Sequence, residues 1–195
     1  MPVIGLTGDV GAGKSTISRV WREMGALVLD ADAIAKSLWQ DADVQRAAEA
    51  RWGAGFFEGD IKSVHAKIAQ KIFNDDAEYK FASELLHRAT FEEIKRRVKN
   101  EPGWVVVEIP LLYESGHYGW LDYVVYVTAP AEKRVERNRA RGWDENELTR
   151  REQWFLPREE KTNRADFILE NDGTLEEWEA KGRELGVFFQ KATGN

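Results

Sequence analysis

A glycine-rich segment near the amino terminus carries the clearest chemical pattern of this sequence. It runs from Gly8 to Thr16, reads GDVGAGKST, and matches in full the phosphate-binding pattern GxxxxGK followed by Ser or Thr. Glycines allow the backbone to approach phosphate groups closely, and a helix that begins directly after them points its first N–H groups at anionic oxygens. The residues that we predict to bind nucleotide phosphates are Gly8, Gly11, Ala12, Gly13, Lys14, Ser15 and Thr16.

Three side chains of this segment have distinct predicted roles. Lys14 is expected to reach the β- and γ-phosphates of ATP as a catalytic charge, and the Ser15 hydroxyl is expected to bind Mg²⁺. Thr16 either caps the helix that follows or contacts the α-phosphate. The pattern therefore predicts a nucleotide with Mg²⁺, but by itself it does not separate kinases, which use ATP, from GTPases or motor ATPases. The alternative is a chance match in a structural turn, which is disfavoured because an apolar strand precedes the segment and a helical pattern follows it.

Acidic residues follow two further apolar runs. Asp30 and Asp32 come after the run at residues 27–29, and Glu108 follows the three valines at residues 105–107. Ligands of an open parallel sheet bind beyond the carboxyl ends of its strands, so these acids are expected near the phosphate segment. We predict that Asp32 is the base that accepts the proton of an attacking hydroxyl and that Glu108 approaches Mg²⁺ through water. The alternatives are that Asp30 caps a helix and that Glu108 is a solvated acid.

Four arginines lie on one predicted helix and its exit: Arg134, Arg137, Arg139 and Arg141. Arg137 and Arg141 share a face, because residues four apart are neighbours on a helix surface. Planar guanidinium groups suit the charge that spreads over a transferring phosphoryl group, so we predict that these two arginines are catalytic. The alternative is an ordinary solvated, charged helix.

The elements that must position these residues alternate along the chain. Apolar runs predict five short strands, at residues 3–7, 27–29, 104–109, 123–127 and 166–169. Helical spacing predicts helices at residues 15–24, at about 131–141 and from 175 onward. This alternation predicts an α/β fold with a parallel, doubly wound sheet between helical layers. Residues 33–102 have mainly helical patterns, and we predict that they form an insertion into a core made of residues 1–32 and 103–195.

The composition limits the classes of partner. The 195 residues carry a net charge of −6, which argues against nucleic acid because phosphate-backbone binding needs a basic surface. The sequence has no cysteine, which excludes disulfides and thiolate catalysis and suits a reducing compartment. It shows no export-signal pattern and no apolar run near the about 20 residues that span a bilayer. We therefore expect a cytoplasmic monomer with a small-molecule substrate and neither a membrane nor a nucleic-acid partner.

Several further segments form an ordered set of motifs. GLT at residues 5–7 precedes the phosphate segment, and LDAD occupies residues 29–32. LLH stands at residues 85–87 and IPLLYE at residues 109–114. Other matching positions are Arg137, Arg141, Glu160, Lys161, Ala165, Asp166 and Asn171. In this order the motifs resemble the dephospho-CoA kinase family along most of the chain, and DAD and IPLLYE are much more specific than the phosphate segment.

The resemblance implies an activity, a fold and roles for particular residues. The family transfers the γ-phosphoryl of ATP to the ribose 3′-hydroxyl of dephospho-CoA, the last step of coenzyme A biosynthesis. It has a P-loop kinase three-layer αβα fold with a five-stranded parallel sheet, a helical acceptor-binding insertion and an arginine-bearing lid, here at about residues 137–163. The resemblance also implies that Asp32 is the base and that Glu114 fixes the acceptor loop. The residues implied to contact the acceptor are Asp32, His87, Leu111, Leu112 and Tyr113.

Some positions depart from the family pattern. Arg88 stands where proline usually follows the histidine, the usual acidic–arginine pair is replaced near Val64 and His65, and Glu108 stands where Asp is common. Two other functions also fit a phosphate segment. One is another small-molecule kinase, acting on a nucleoside, a nucleotide or a shikimate-like acid. The other is a nucleotide-dependent switch or assembly ATPase, which is disfavoured because the sequence lacks the guanine-reading pattern NKxD.

Overall fold

The computed structural model describes residues 1–99, 101–116, 119–139, 142–153 and 155–192. The chain divides into two compact units. The first is discontinuous, since it is made of Met1–Asp30 and of the chain from Glu101 onward. The second begins at Ala31 and ends before Glu101, so it is one continuous stretch inserted between the two parts of the first.

A parallel sheet forms the centre of the first unit. Its strands, in chain order, are β1 (Val3–Gly8), β2 (Leu27–Asp30), β3 (Val105–Glu108), β4 (Tyr123–Thr128) and β5 (Phe167–Glu170). Within the described residues the sheet has five strands in the order β2-β3-β1-β4-β5, and every pairing is parallel. The predicted α/β class with a five-stranded parallel sheet is confirmed. All five strands therefore end at the same edge of the sheet, where ligands of such folds bind.

The helices of the first unit follow the strands. They are α1 (Lys14–Glu23), α6 (Leu112–Ser115), α7 (Ala131–Asn138), α8 (Glu145–Glu152), α9 (Arg158–Arg164) and α10 (Leu175–Ala192). The helix predicted at residues 131–141 ends at Asn138 within the described residues. Helices α8 and α9 lie in a segment for which the sequence predicted no element, because their surfaces are mostly polar and give little apolar periodicity.

Aromatic side chains join α1 and α10 to one face of the sheet. Trp21, Trp104 and Phe189 are buried, and their ring centroids lie 5.7 to 5.8 Å apart. The indole N–H of Trp21 donates to the Gly182 carbonyl at 2.7 Å, so this buried ring also satisfies its polar atom. Strands β1, β3 and β4 are apolar over nearly their whole length because both of their faces are covered.

The second unit is helical. It contains α2 (Ala31–Ser37), a 3₁₀ turn (Leu38–Gln40), α3 (Ala42–Trp52), α4 (Ile61–Phe73) and α5 (Asp76–Val98). Asp41, Asp60 and Asp75 precede α3, α4 and α5, and each accepts a hydrogen bond from a backbone N–H of the first turn. Trp39 and Trp52 lie in its small aromatic core, with ring centroids 5.7 Å apart. Among the described residues, no helix is both long and apolar enough to cross a bilayer.

Phe189→Ala tests the aromatic contact between α10 and the sheet. Phe189 is fully buried, so its loss should lower the free energy of unfolding by about 3–5 kcal/mol. The neighbouring Phe188 is 45% exposed, and Phe188→Ala is a matched control that should cost much less. Chemical denaturation of both variants measures the difference, and equal losses would contradict the assigned packing.

Candidate active site

The backbone of residues 8–13 requires glycine at particular points. Gly8 has φ of 145°, and a Cβ atom there would lie 2.0 Å from the Val127 carbonyl oxygen of β4. Gly13 has φ of 107°, and a Cβ atom there would lie 2.6 Å from Asn171 Nδ2. Both backbone conformations are ones that L side chains rarely adopt. The turn between β1 and α1 therefore depends on the glycines that the phosphate pattern supplies.

No side chain caps the amino-terminal end of α1. Gly13 is the N-cap residue, so no side chain caps the helix, and the described first turn contains no acidic residue. The first N–H groups of a helix lack partners within the helix, and the helix dipole adds positive potential at the same point. This end of α1 is therefore suited to bind the phosphate oxygens of a nucleotide.

The Lys14 amine lies inside the turn that precedes it. Its Nζ donates to the Gly8 carbonyl at 2.9 Å and to the Asp9 carbonyl at 3.0 Å. Burial lowers the pKa of Lys14, and the negative charges of Glu108, Asp9 and Glu152 oppose that shift. The amine is thus held by backbone carbonyls and lies close to several carboxylates.

A buried carboxylate anchors the turn. Asp9 is 5% exposed and accepts hydrogen bonds from the Tyr126 hydroxyl and, at 2.7 Å, from Thr128 Oγ1, both on β4. Arg158, at the start of α9, forms an ion pair with the same carboxylate at 2.8 Å. Burial raises the pKa of the Tyr126 hydroxyl, so the group keeps its proton and donates. The sequence did not reveal this role, because the phosphate pattern allows any residue at position 9.

A cleft of about 410 Å³ adjoins the turn and the first turns of α1 and α10. Asn171 is central to its wall, since its Nδ2 donates to the Ala12 carbonyl at 2.8 Å while its Oδ1 accepts from Arg137 at 2.8 Å. Trp178 Nε1 donates to the Gly13 carbonyl at 3.3 Å. Arg137, predicted to be catalytic, therefore lies at a cleft large enough for part of a nucleotide. Trp178 was not predicted, because its helical spacing resembles that of any core residue.

Glu108 ends β3 at the ligand edge of the sheet. In the strand register it pairs with Leu6 on one side and Asp30 on the other. Its Oε2 accepts a hydrogen bond from Ser18 Oγ at 2.9 Å, and Ser15 is exposed in the first turn of α1. Mg²⁺ prefers oxygen ligands such as hydroxyl and carboxylate groups, so Ser15 and Glu108 fit that ion chemically.

The segment predicted to line the acceptor site is partly buried. Leu112 and Tyr113 are at most 4% exposed and pack in a small cluster with side chains of β4, whereas Leu111 is 45% exposed. Glu114 accepts from the Leu156 N–H at 2.9 Å and pairs with the buried Lys161 amine at 2.6 Å. These contacts tie the segment to α9.

Two of the remaining predicted residues belong to the second unit. Asp32 is exposed in the first turn of α2, and His87 is exposed on α5, so both belong to the second unit. Arg134 is buried on α7 and pairs with Glu152 of α8. Arg141 lies outside the described residues.

Comparison with known proteins identifies the family. The family model described as dephospho-CoA kinase matches residues 2–177. The chain belongs to the dephospho-CoA kinase family. The dephospho-CoA kinase of Aquifex aeolicus is 36% identical over 180 residues, which cover 91% of this chain and 92% of that protein. The other small-molecule kinases and the switch ATPase are thereby set aside.

Solved structures share the fold of this chain. A crystal structure from Thermus thermophilus has a TM-score of 0.72 and 32% identity, covering 96% of this chain and 97% of that one. A dephospho-CoA kinase from Campylobacter jejuni has a TM-score of 0.69 at 21% identity, covering 97% of this chain and 98% of that one, and supports the fold. The P-loop, residues 8–16, is therefore that of a dephospho-CoA kinase family member.

Gly13→Ala tests the steric requirement of the P-loop. The added Cβ would lie 2.6 Å from Asn171 Nδ2 and 2.9 Å from Trp178 Nε1, so we expect weaker ADP binding as well as lower stability. Gly25→Ala is the matched control at the other end of α1, since Gly25 has φ of 93° but no atom within 4 Å of the added Cβ. It should cost about 1–2 kcal/mol of stability and leave ADP affinity unchanged. Calorimetric ADP titration and thermal unfolding compare the two, and equal ADP affinities would contradict the predicted clash.

Proposed function

We propose that this chain transfers the γ-phosphoryl of ATP to the ribose 3′-hydroxyl of dephospho-CoA, which yields coenzyme A and ADP. The observation that carries this proposal is the match of the dephospho-CoA kinase family model to residues 2–177, which include a complete P-loop. The open end of α1 and the adjoining cleft support it, since together they offer hydrogen-bond donors and space to a nucleotide.

In this proposal Lys14 neutralises the β- and γ-phosphates. Phosphate oxygens would replace the Gly8 and Asp9 carbonyls as acceptors of its hydrogen bonds. Arg137 stands at the cleft wall beside Asn171, where a nucleotide would place its charge within reach of the guanidinium group. Arg141 is proposed as the second catalytic arginine of a lid at about residues 137–163, because the resemblance to the dephospho-CoA kinase family implies that role.

Ser15 and Glu108 are the residues that we propose for Mg²⁺. Held by these residues, the ion would neutralise negative charge that develops on the phosphoryl group during transfer. The Ser18 hydroxyl, 2.9 Å from Glu108 Oε2, would orient the carboxylate. Ser15 would contribute its hydroxyl from the first turn of α1.

The acceptor side of the reaction is proposed to involve the helical unit. Asp32 follows β2 by two residues and would accept the proton of the attacking 3′-hydroxyl. His87 and the exposed Leu111 are proposed to contact the acceptor directly, and the buried Leu112 and Tyr113 are proposed to support the segment that lines its site. The cysteine-free sequence suits a reducing cytoplasm, and we further propose that the chain acts there as a monomer.

An acceptor assay tests the proposed function. Purified protein should add one phosphate to the ribose of dephospho-CoA in an ATP- and Mg²⁺-dependent manner, detected as a mass increase of the product. Lys14→Ala should remove most of this turnover without unfolding the protein, because the lost charge lies where phosphate charge must be neutralised. Turnover of nucleosides or shikimate with none of dephospho-CoA would reject the proposed acceptor.

Asp32→Asn tests the proposed base. The substitution keeps the size of the side chain and removes its proton affinity, so turnover should fall by about 10²- to 10⁴-fold while ATP affinity persists. Asp30→Asn is the matched control two residues earlier. Turnover is measured across a Mg²⁺ titration, because excess metal restores a metal-site defect but not a missing base. Wild-type turnover in Asp32→Asn, with a loss in Asp30→Asn, would assign the role to Asp30.

A further inference from the structure

Val10 is held through both of its backbone polar groups. Its N–H donates to Glu152 Oε1 at 2.9 Å, and its carbonyl accepts from Arg134 NH1 at 3.2 Å. Backbone hydrogen bonds hold its neighbours, since the Asp9 N–H donates to the Val127 carbonyl and the Ala12 N–H to the Asp9 carbonyl. The two polar groups of Val10 itself are held by side chains from other elements, so these side chains help to determine where Val10 lies.

The two side chains that hold Val10 also bind each other. Arg134 NH1 and Glu152 Oε1 form an ion pair at 2.6 Å, with the Arg134 side chain 6% exposed and that of Glu152 24% exposed. Arg134 comes from α7, and Glu152 is the last residue of α8. The pair thus joins two helices to one residue of the phosphate turn. It differs from the surface pair of Glu147 with Arg150, which lies within α8 alone.

The pairing resolves an electrostatic conflict. The Glu152 carboxylate acts on the Lys14 amine and opposes the lowering of its pKa, so the carboxylate lies near the place where the phosphates bind. An uncompensated carboxylate at that place would repel them. Arg134 compensates its charge, and the pair offers the Val10 N–H an acceptor without adding net negative charge. A buried arginine alone could not accept that hydrogen bond.

We propose that Arg134 and Glu152 are positioning residues of the P-loop, which together hold Val10 so that the loop is preorganised for the triphosphate. This inference rests on the proposed function only in that the P-loop binds ATP. Arg134 then binds the backbone of the loop through the Val10 carbonyl. In the sequence it stands on the same predicted helix as the arginines that could contact the phosphoryl group. Neither residue needs to touch the reacting atoms.

Hydrogen exchange of the Val10 amide, measured by NMR without nucleotide, tests directly the hydrogen bond from the Val10 N–H to Glu152. Glu152→Ala should increase the exchange rate by at least about 10-fold, whereas Glu152→Gln, which keeps an acceptor oxygen, should retain most of the protection. Glu147→Ala is the control on the same helix and should leave Val10 protected. Glu152→Gln also keeps the test possible if Glu152→Ala does not fold. Unchanged exchange in Glu152→Ala, or equal loss in Glu147→Ala, would overturn the proposal.

ADP titration supplies the second measurement and does not involve the acceptor. Glu152→Ala should weaken ADP binding by about 10-fold, and Arg134→Met should weaken it further because the Glu152 charge is then uncompensated. The double variant Arg134→Met with Glu152→Gln should recover part of the affinity lost in Arg134→Met. Tighter ADP binding in Glu152→Ala would show that the carboxylate competes with phosphate and would refute a positioning role.

These measurements separate the inference from the proposed function. Failure to phosphorylate dephospho-CoA, with the expected exchange and ADP results, would reject the acceptor and leave the role of the pair intact. If the variants lose thermal stability but keep the Val10 exchange rate and the ADP affinity of the wild type, the pair only stabilises the fold. That result would overturn the proposal.

Discussion

A phosphate-binding loop must leave several of its N–H groups to the ligand, so few backbone hydrogen bonds hold it; here the Asp9 N–H donates to the Val127 carbonyl at 3.0 Å. The buried Asp9 carboxylate supplies a further constraint. It accepts from Tyr126 and Thr128 of the adjacent strand and pairs with Arg158 of α9. A buried carboxylate is costly unless it is fully compensated, and these three donors compensate it. The position of the P-loop, and with it that of Lys14, depends on this arrangement.

Compensated charge recurs around the loop. Arg134 pairs with Glu152, Arg158 with Asp9, and Lys161 with Glu114. Each pair joins residues from different elements, so the charges also fix α7, α8 and α9 around the carboxyl edge of the sheet. Oppositely charged side chains in contact stabilise each other well only where water is partly excluded. The burial of Arg134 and Lys161 provides this exclusion. Because each positive charge of these three ion pairs is matched by a negative one, the pairs add little net charge to the site.

The sequence revealed those parts of the protein whose signal is local. The P-loop was evident because its glycines and Lys14 follow a short fixed spacing, and strands such as β3 were evident because burial on both faces makes them continuously apolar. Helices α8 and α9 were missed because their surfaces are mostly polar. Asp9 and Glu152 were missed because the residues that reveal their roles, Tyr126 for Asp9 and Val10 for Glu152, lie more than one hundred residues away in sequence. The roles of Asp32 and His87 stay predictions.

The interrupted core has a consequence for the newly made chain. Strand β1 is synthesised before the inserted unit, yet both of its neighbours, β3 and β4, lie beyond that unit, with Val3 opposite Val105 and Ile4 opposite Tyr123. Helices of the inserted unit contact one another, α4 with α5 and α2 with α5, across smaller sequence separations than that between β1 and β3, which lowers the entropic cost of their early formation. Until β3 has been synthesised, β1, whose residues are all buried in the folded unit, exposes both edges, and one edge stays exposed until β4 follows. A chaperone that covers β1 during synthesis would therefore protect the nascent chain from aggregation.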